Sequence, residues 1–166
     1  MMILVLTTGD VLAQSSSGAE ARLKEKNITL PAAPAPIANY VGAVRVGNLL
    51  FVSGFTSREW EPKGKVGKDL TVEQGYQASR HAGLIFLANV RASLGSLDRV
   101  KRVIKVFGMV NSADGFGDQP KVINGFSDLM VEVFGESVGK HARSAVGMAG
   151  LPGNAPVEIE AVLEVE

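Results

Sequence analysis

The sequence predicts an α+β fold in which two main helices pack on one face of a mixed β-sheet. The predicted order of elements is a hairpin, a helix, a strand, a helix and two final strands, without strict strand and helix alternation. The two long helical patterns each end at a glycine, Gly95 and Gly135. The last segment, 157–166, alternates apolar and acidic residues, which is typical of a half-buried strand.

Size and composition limit the possible functions. A chain of 166 residues favours one hydrophobic core. The 17 basic residues balance the 17 acidic ones, which argues against a nucleic-acid or anionic-membrane partner. The absence of cysteine excludes disulfides and thiolate chemistry, and the two histidines, His81 and His141, lie far apart in the sequence. We therefore expect no metal and no cofactor.

Residues 1–29 are predicted to form an N-terminal extension with a short helix, and residues 30–166 the folded domain. Ser17 and Glu20 have the spacing of a capping box at the start of that helix. The first six residues are apolar but lack a basic flank, so a targeting segment is a minor alternative to a cytoplasmic protein. Segment 30–36 is rich in proline and predicts a stiff, extended connector.

The first strands are predicted as a hairpin. Segments 41–46 and 49–52 have strand-forming compositions and are separated by Gly47-Asn48, a two-residue turn signal. Ser53-Gly54 is expected to end the second strand.

The next element is predicted as a long helix that begins at Thr71, which has capping-box spacing with Gln74, and stops at Gly95. Small residues, Ser79 and Gly83, interrupt its apolar stripe. We expect the sheet to approach the helix closely at these positions.

The second half of the chain contributes a strand over 101–110, a helix over 122–134 and the last strands. Asn124-Gly125 signals a turn, but the helical spacing continues on both sides of it, so we predict an uninterrupted helix. With helices on one face only, the other face of the sheet needs cover, and this predicts oligomerisation.

Three polar residues lie among apolar or small neighbours: Tyr40, Arg143 and Glu158. Arg143 opens a strand of small residues, where a guanidinium has room to bind a carboxylate with two hydrogen bonds. The residues alone leave two alternatives open. Arg143 could pair with a structural glutamate, and Glu158 could belong to a solvated acidic face.

Six short stretches occur together in an order and spacing typical of one known family. From Leu30 to Glu166, about four fifths of its length, the chain resembles the reactive intermediate deaminase family (RidA, formerly YjgF, also called L-PSP endoribonuclease-like). The matching stretches are Asn39-Tyr40-Val41, Gly47-Asn48-Leu49-Leu50-Phe51-Val52-Ser53-Gly54, Asn124-Gly125-Phe126-Ser127-Asp128-Leu129, Ala142-Arg143-Ser144, Leu151-Pro152 and Val157-Glu158-Ile159-Glu160.

The resemblance implies a chorismate-mutase-like fold and a homotrimer with clefts between subunits. It further implies hydrolysis of 2-imino or enamine acids to 2-keto acids and ammonia without a cofactor. By position, Arg143 would bind the substrate carboxylate and Glu158 would orient or activate water. The remaining residues of the implied substrate site are Tyr40, Ser53, Gly54 and Ala145.

Some positions depart from the family pattern. Ala145 stands where many members have cysteine, and Phe55 where glutamine is common, so the cleft is expected to be less polar. His141 replaces a frequent proline and is interpreted as structural. A non-catalytic trimer that binds small carboxylates or acts as a chaperone is the alternative function. Ribonuclease activity or inhibition of translation is less expected.

Overall fold

The computed structural model of the chain describes residues 18–35, 37–57 and 59–166. Two single-turn 3₁₀ helices, Leu97–Arg99 and Pro152–Asn154, accompany the main elements. In chain order, the main elements are α1 (Ala19–Glu25), β1 (Ala43–Val46), β2 (Leu49–Thr56), α2 (Val72–Leu94), β3 (Val100–Asn111), α3 (Gln119–Phe134), α4 (Glu136–Gly139), β4 (Ala142–Met148) and β5 (Val157–Val165).

The strands form one mixed sheet in the order β1-β2-β5-β3-β4. The β3–β4 pair is parallel and the other neighbours are antiparallel. On central strand β5, Val157, Ile159 and Leu163 are fully buried on the side that α2 covers, while Glu160 is exposed on the opposite side. The α+β prediction, with helices on one face of a mixed sheet, is confirmed. We call the other side the open face.

Helix α2 begins as predicted, because the side chains and backbone amides of Thr71 and Gln74 form a reciprocal capping box. The expected partner of its small residues was wrong. Ser79 accepts a hydrogen bond from the amide of Phe126 at 3.2 Å, and a side chain at Gly83 would collide with Leu129. The small residues therefore allow α3, rather than the sheet, to approach α2.

Gly125 explains the misleading turn signal inside α3. The helix continues through it, as predicted, and a Cβ atom at this position would overlap the carbonyl oxygen of Tyr76 on α2. Glycine is required here because the two helix backbones touch, and not because the chain turns.

Replacing Gly125 by alanine should destabilise the protein by about 1–3 kcal/mol or more, because the new methyl group meets backbone that cannot move aside. Chemical denaturation measures this change. Gly117→Ala is the matched control, since a Cβ at Gly117 meets no atom within 4 Å. Equal stability of the two variants would contradict the close contact between α2 and α3.

The described part of the N-terminal extension packs on the domain. Leu23 of α1 belongs to the hydrophobic core. The Glu20 carboxylate accepts two hydrogen bonds from Arg91, at 3.0 and 2.6 Å, and one from the amide of Leu97. Glu20 thus binds Arg91 and Leu97 instead of forming the predicted capping box. Ser17, the other member of that capping box, and the apolar start of the chain lie outside the described residues. The domain boundary at residue 30 stays a prediction.

Strand β2 does not end at Ser53-Gly54 as predicted but continues to Thr56, with an irregular register between Val52 and Phe55. A Cβ atom at Gly54 would overlap the carboxylate of Glu158 on β5. The absence of a side chain at Gly54 therefore leaves room for the Glu158 side chain to lie against β2. Within the described ranges, no helix combines the length and apolar character needed to span a membrane.

Candidate functional site

A pocket of about 570 Å³ lies between the proline-rich segment, the irregular part of β2 and the loop that precedes β5. Four of the residues predicted for the substrate site line it: Tyr40, Ser53, Gly54 and Glu158. Most other lining residues are apolar: Pro31, Ala32, Pro34, Ala35, Ile37, Ala38, Phe55, Ile85 and Pro152. These four residues therefore share one cavity.

The position of Glu158 follows from the alternation of β5. Its side chain lies on the open face, against the backbone of Gly54, and is half-buried, whereas Glu160 on the same face is exposed. Burial raises the pKa of the Glu158 carboxyl, and the charge of Glu160 raises it further. A carboxyl group with a raised pKa, inside a pocket, is suited to accept a proton from water.

Two hydrogen bonds of Ser53 hold the segment that carries Tyr40 against β2. Its hydroxyl donates a hydrogen bond to the carbonyl of Val41 at 2.6 Å, and its amide donates to the carbonyl of Gly42 at 3.0 Å. The Tyr40 side chain remains about half exposed at the rim, with 49% of its surface accessible. Ser53 therefore acts on the shape of the pocket through the backbone of the connecting segment.

The described residues that line this pocket include two acidic side chains, Glu59 and Glu158, and no basic one. A carboxylate ligand would meet negative potential here. Binding such a ligand therefore requires a cation from outside this set of residues.

Arg143 supplies a cation, but in another place. The side chain is partly buried and donates to three oxygens of α3, namely Asn124 Oδ1 at 2.9 Å, Ser127 Oγ at 2.9 Å and the Pro120 carbonyl at 3.3 Å. All three acceptors are uncharged. The arginine is thus held in position without being neutralised by these contacts.

The electrostatics of Arg143 agree with this geometry. None of the ion pairs among the described residues includes it, so the hypothesis of a structural glutamate partner finds no support. Burial lowers the pKa of Arg143, and the charge of Asp128 opposes this effect. Since the ordinary pKa of a guanidinium lies far above neutral pH, the group stays charged and is suited to bind an anion.

Arg143 and Glu158 lie on opposite faces of the sheet. On β3, Val106 pairs with Arg143 and Met109 pairs with Glu158. Positions three residues apart on one strand point to opposite sides, and Val106 is fully buried under the helices. One copy of the chain therefore does not bring the two predicted catalytic groups together.

The predicted site is divided into two half-sites. The acidic half-site consists of Tyr40, Ser53, Gly54 and Glu158. Ala145 pairs with Gly108 and lies on the same face as Arg143, partly buried against the core, so it belongs to the arginine half-site.

Sequence reasoning missed the residues that hold Arg143 in place. Asn124 and Ser127 lie three positions apart on α3 and therefore share one helix face, which was the available signal. His141 was interpreted as structural, and its ring nitrogen Nε2 lies 3.1 Å from Ser127 Oγ. In the described part of the chain, no group of three or more potential metal ligands is close enough together to hold an ion.

Comparison with known proteins gives a consistent family. Residues 20–161 match the family described as "YjgF/chorismate_mutase-like, putative endoribonuclease". Protein TCP17 of Trypanosoma cruzi is 46% identical over 154 residues, 91% of this chain and 96% of that protein. The 2-iminobutanoate/2-iminopropanoate deaminase of Dermatophagoides farinae is 33% identical over 141 residues, 84% of this chain and 95% of that protein.

A solved structure supports the same assignment. The protein Atu1372 of Agrobacterium tumefaciens, described as of unknown function, superposes with a TM-score of 0.80 at 45% sequence identity. The match covers 89% of this chain and 92% of Atu1372. The family predicted from the sequence motifs is confirmed: the chain belongs to the YjgF (RidA) family and has its chorismate-mutase-like fold.

Proposed function

We propose that this protein hydrolyses 2-imino or enamine acids to 2-keto acids and ammonia in a cleft between two copies of the chain. Arg143 of one copy binds the substrate carboxylate, and Glu158 of the next copy activates the attacking water. The proposal is supported by the similarity to the mite deaminase, whose name specifies 2-iminobutanoate and 2-iminopropanoate.

The observation that carries the proposal is the charge of Arg143. Its hydrogen bonds in the described structure go to neutral oxygens of α3, which fix the guanidinium without cancelling its charge. A guanidinium has five N–H donors, and those three bonds leave donors for a carboxylate. The acidic half-site lacks such a group among its described residues, so the two half-sites complement each other.

The reaction needs little beyond orientation and a base, because an iminium carbon is already electrophilic. The Glu158 carboxylate takes a proton from water as the water oxygen forms a bond to C2 of the substrate. Glu158 then returns this proton to the nitrogen of the carbinolamine, so the carboxylate is regenerated. The C2–N bond breaks as the C2–O double bond forms, and the hydroxyl proton passes to the departing ammonia, which gives the keto acid and ammonium.

The open face favours association of copies. It exposes large apolar side chains on the edge hairpin: Val44 is 52% exposed, Val46 62% and Phe51 45%. Covering these side chains removes apolar surface from water. We propose that the covering partner is another copy in a homotrimer, which completes each cleft.

The test is the release of ammonia and 2-oxobutanoate from freshly generated 2-iminobutanoate, measured against the rate without protein. Wild-type protein should accelerate the release. Arg143→Ala should lower kcat/KM by about 100-fold or more, because charge-assisted hydrogen bonds contribute roughly 1.5–3 kcal/mol each and about 1.4 kcal/mol corresponds to tenfold.

Lys24→Ala is the control for a lost positive charge, since Lys24 is exposed on α1. It should keep the wild-type rate. If wild-type protein bound 2-oxobutanoate but accelerated no imine hydrolysis, a non-catalytic carboxylate-binding function would replace the proposed one. Full activity of Arg143→Ala would contradict the assignment of the arginine.

A further inference from the structure

A chain of three hydrogen bonds connects Arg143 to the backbone of Gly139, the last residue of α4. Arg143 Nη1 donates to Ser127 Oγ at 2.9 Å. Ser127 Oγ lies 3.1 Å from His141 Nε2, and His141 Nδ1 lies 2.6 Å from the carbonyl oxygen of Gly139. The carboxylate anchor is thus linked through a serine to a histidine that is clamped by a backbone carbonyl.

The chemistry of the groups determines where the protons lie. The guanidinium only donates and the Gly139 carbonyl only accepts, so His141 carries a proton on Nδ1. Since Ser127 Oγ accepts from Arg143, its own proton can be donated to His141 Nε2 when that nitrogen is unprotonated. With a neutral ring, each of these three contacts is a hydrogen bond between one donor and one acceptor.

The surroundings favour this neutral ring. His141 is partly buried and packs edge-on against Phe126, with ring centroids 6.3 Å apart. Burial lowers the pKa of His141, the Gly139 carbonyl opposes this effect, and the charge of Arg143 lowers it further. The charged side chains on the elements around the ring are Lys101, Arg102 and Lys105 on β3, Arg143 on β4, Lys121, Asp128 and Glu132 on α3, Glu136 on α4, and Lys140 directly after α4.

We propose that His141 is a positioning residue for the carboxylate anchor: by accepting the proton of Ser127, it orients the serine oxygen towards Arg143 and fixes the guanidinium. The proposal rests on the proposed function, in which Arg143 binds the substrate carboxylate. Asn124 holds the same nitrogen, Nη1, from the preceding turn of α3. Nη2 donates one hydrogen to the Pro120 carbonyl, so Nε and the second hydrogen of Nη2 remain for the ligand.

A residue that merely filled space would act differently. Its replacement would change stability, whereas loss of a positioning contact lets the arginine adopt several rotamers and weakens carboxylate binding. Because the carboxylate is bound in both the ground state and the transition state, KM should rise while kcat stays nearly constant.

Two conservative variants separate the contacts of the ring. The side chain of His141→Gln places an acceptor near the position of Nε2, so it can still receive the Ser127 proton. His141→Asn is one methylene shorter and reaches only the position of Nδ1. We expect His141→Asn to bind 2-oxobutanoate about tenfold more weakly than wild-type protein, the loss of one hydrogen bond of roughly 1.4 kcal/mol. His141→Gln should stay within about threefold of wild type.

The measurement is calorimetric titration of the full chain with 2-oxobutanoate, alongside Arg143→Ala. Equal binding by His141→Asn and wild type, with binding lost in Arg143→Ala, would overturn the positioning role alone. Undiminished binding by Arg143→Ala would instead show that the proposed carboxylate site itself is wrong. The two failures are therefore distinguishable.

A measurement on wild-type protein keeps the inference testable if a His141 variant fails to fold. Long-range ¹H–¹⁵N NMR spectra distinguish the two tautomers and the cation. We expect a neutral His141 with its proton on Nδ1 at pH 7.5. A proton on Nε2 at that pH would exclude donation by Ser127 and overturn the proposal.

Discussion

Mixed oligomers of Arg143→Ala and Glu158→Gln protomers should regain activity that neither variant has alone. Each single variant lacks one group in every cleft. The two residues lie on opposite faces of the sheet within one copy. In the proposed cleft, the arginine and the glutamate therefore come from different copies. A cleft between an intact arginine half-site and an intact acidic half-site therefore exists only in the mixture.

The size of the effect follows from the symmetry. In a cyclic trimer, every mixed assembly contains one intact cleft, so random assembly from equal amounts leaves about one quarter of all clefts intact. The expected activity per mole of protein is therefore about one quarter of the wild-type value. Co-expression with two different affinity tags, followed by native mass spectrometry, establishes the composition of the assemblies before ammonia release is measured.

The matched control combines Arg143→Ala with the double variant Arg143→Ala and Glu158→Gln. These mixtures contain no intact arginine half-site and should remain inactive. If mixed trimers of the two single variants were equally inactive, the catalytic groups would not come from different copies. A monomer at assay concentration would contradict the intersubunit cleft directly.

Some of the fold could be predicted because the responsible physics is local. The alternation of β5 encodes which side chains are buried, and the capping box of α2 is complete within four residues. The errors concern contacts between distant segments. Gly83 allows α2 to approach α3, and Gly54 leaves room for Glu158. Neither partner can be identified from the local sequence.

The site was partly predictable for the same reason. The motifs identified Arg143 and Glu158, but strand register determines the face of the sheet on which each lies. Two residues on different strands can be assigned to faces only when the pairing with β3 is known. Asn124 and Ser127 were within a recognised motif, yet their contact with Arg143 depends on the docking of α3.

Glu158→Gln should lower kcat by about 10²–10⁴-fold, the usual contribution of a positioned general base. In wild-type protein, kcat should fall as pH decreases through the pKa of Glu158, which burial and Glu160 raise above the ordinary glutamate value. With substrate bound, the charge of Arg143 is balanced by the substrate carboxylate, so burial still governs this pKa. Glu160→Gln is the control, because Glu160 is exposed and outside the pocket lining, and it should retain activity.

Glu158→Gln should also stabilise the protein at neutral pH. A carboxyl group whose pKa is raised by folding binds its proton more tightly in the folded chain than in the unfolded one. Stability is therefore highest below the ordinary glutamate pKa and is lost as pH rises through the raised value. Glutamine carries no charge, so Glu158→Gln should lack this loss.

Denaturation at fixed protein concentration, at pH 4 and at pH 7.5, measures the difference. The gain of Glu158→Gln over wild type should be larger at pH 7.5, and because Glu158 is only half-buried it should be modest. A variant that is inactive but more stable at neutral pH would mean that the glutamate is retained at a cost to folding. An inactive variant that is less stable at pH 7.5 would instead mean that Glu158 supports the structure of the pocket, and the role of general base would have to be assigned elsewhere.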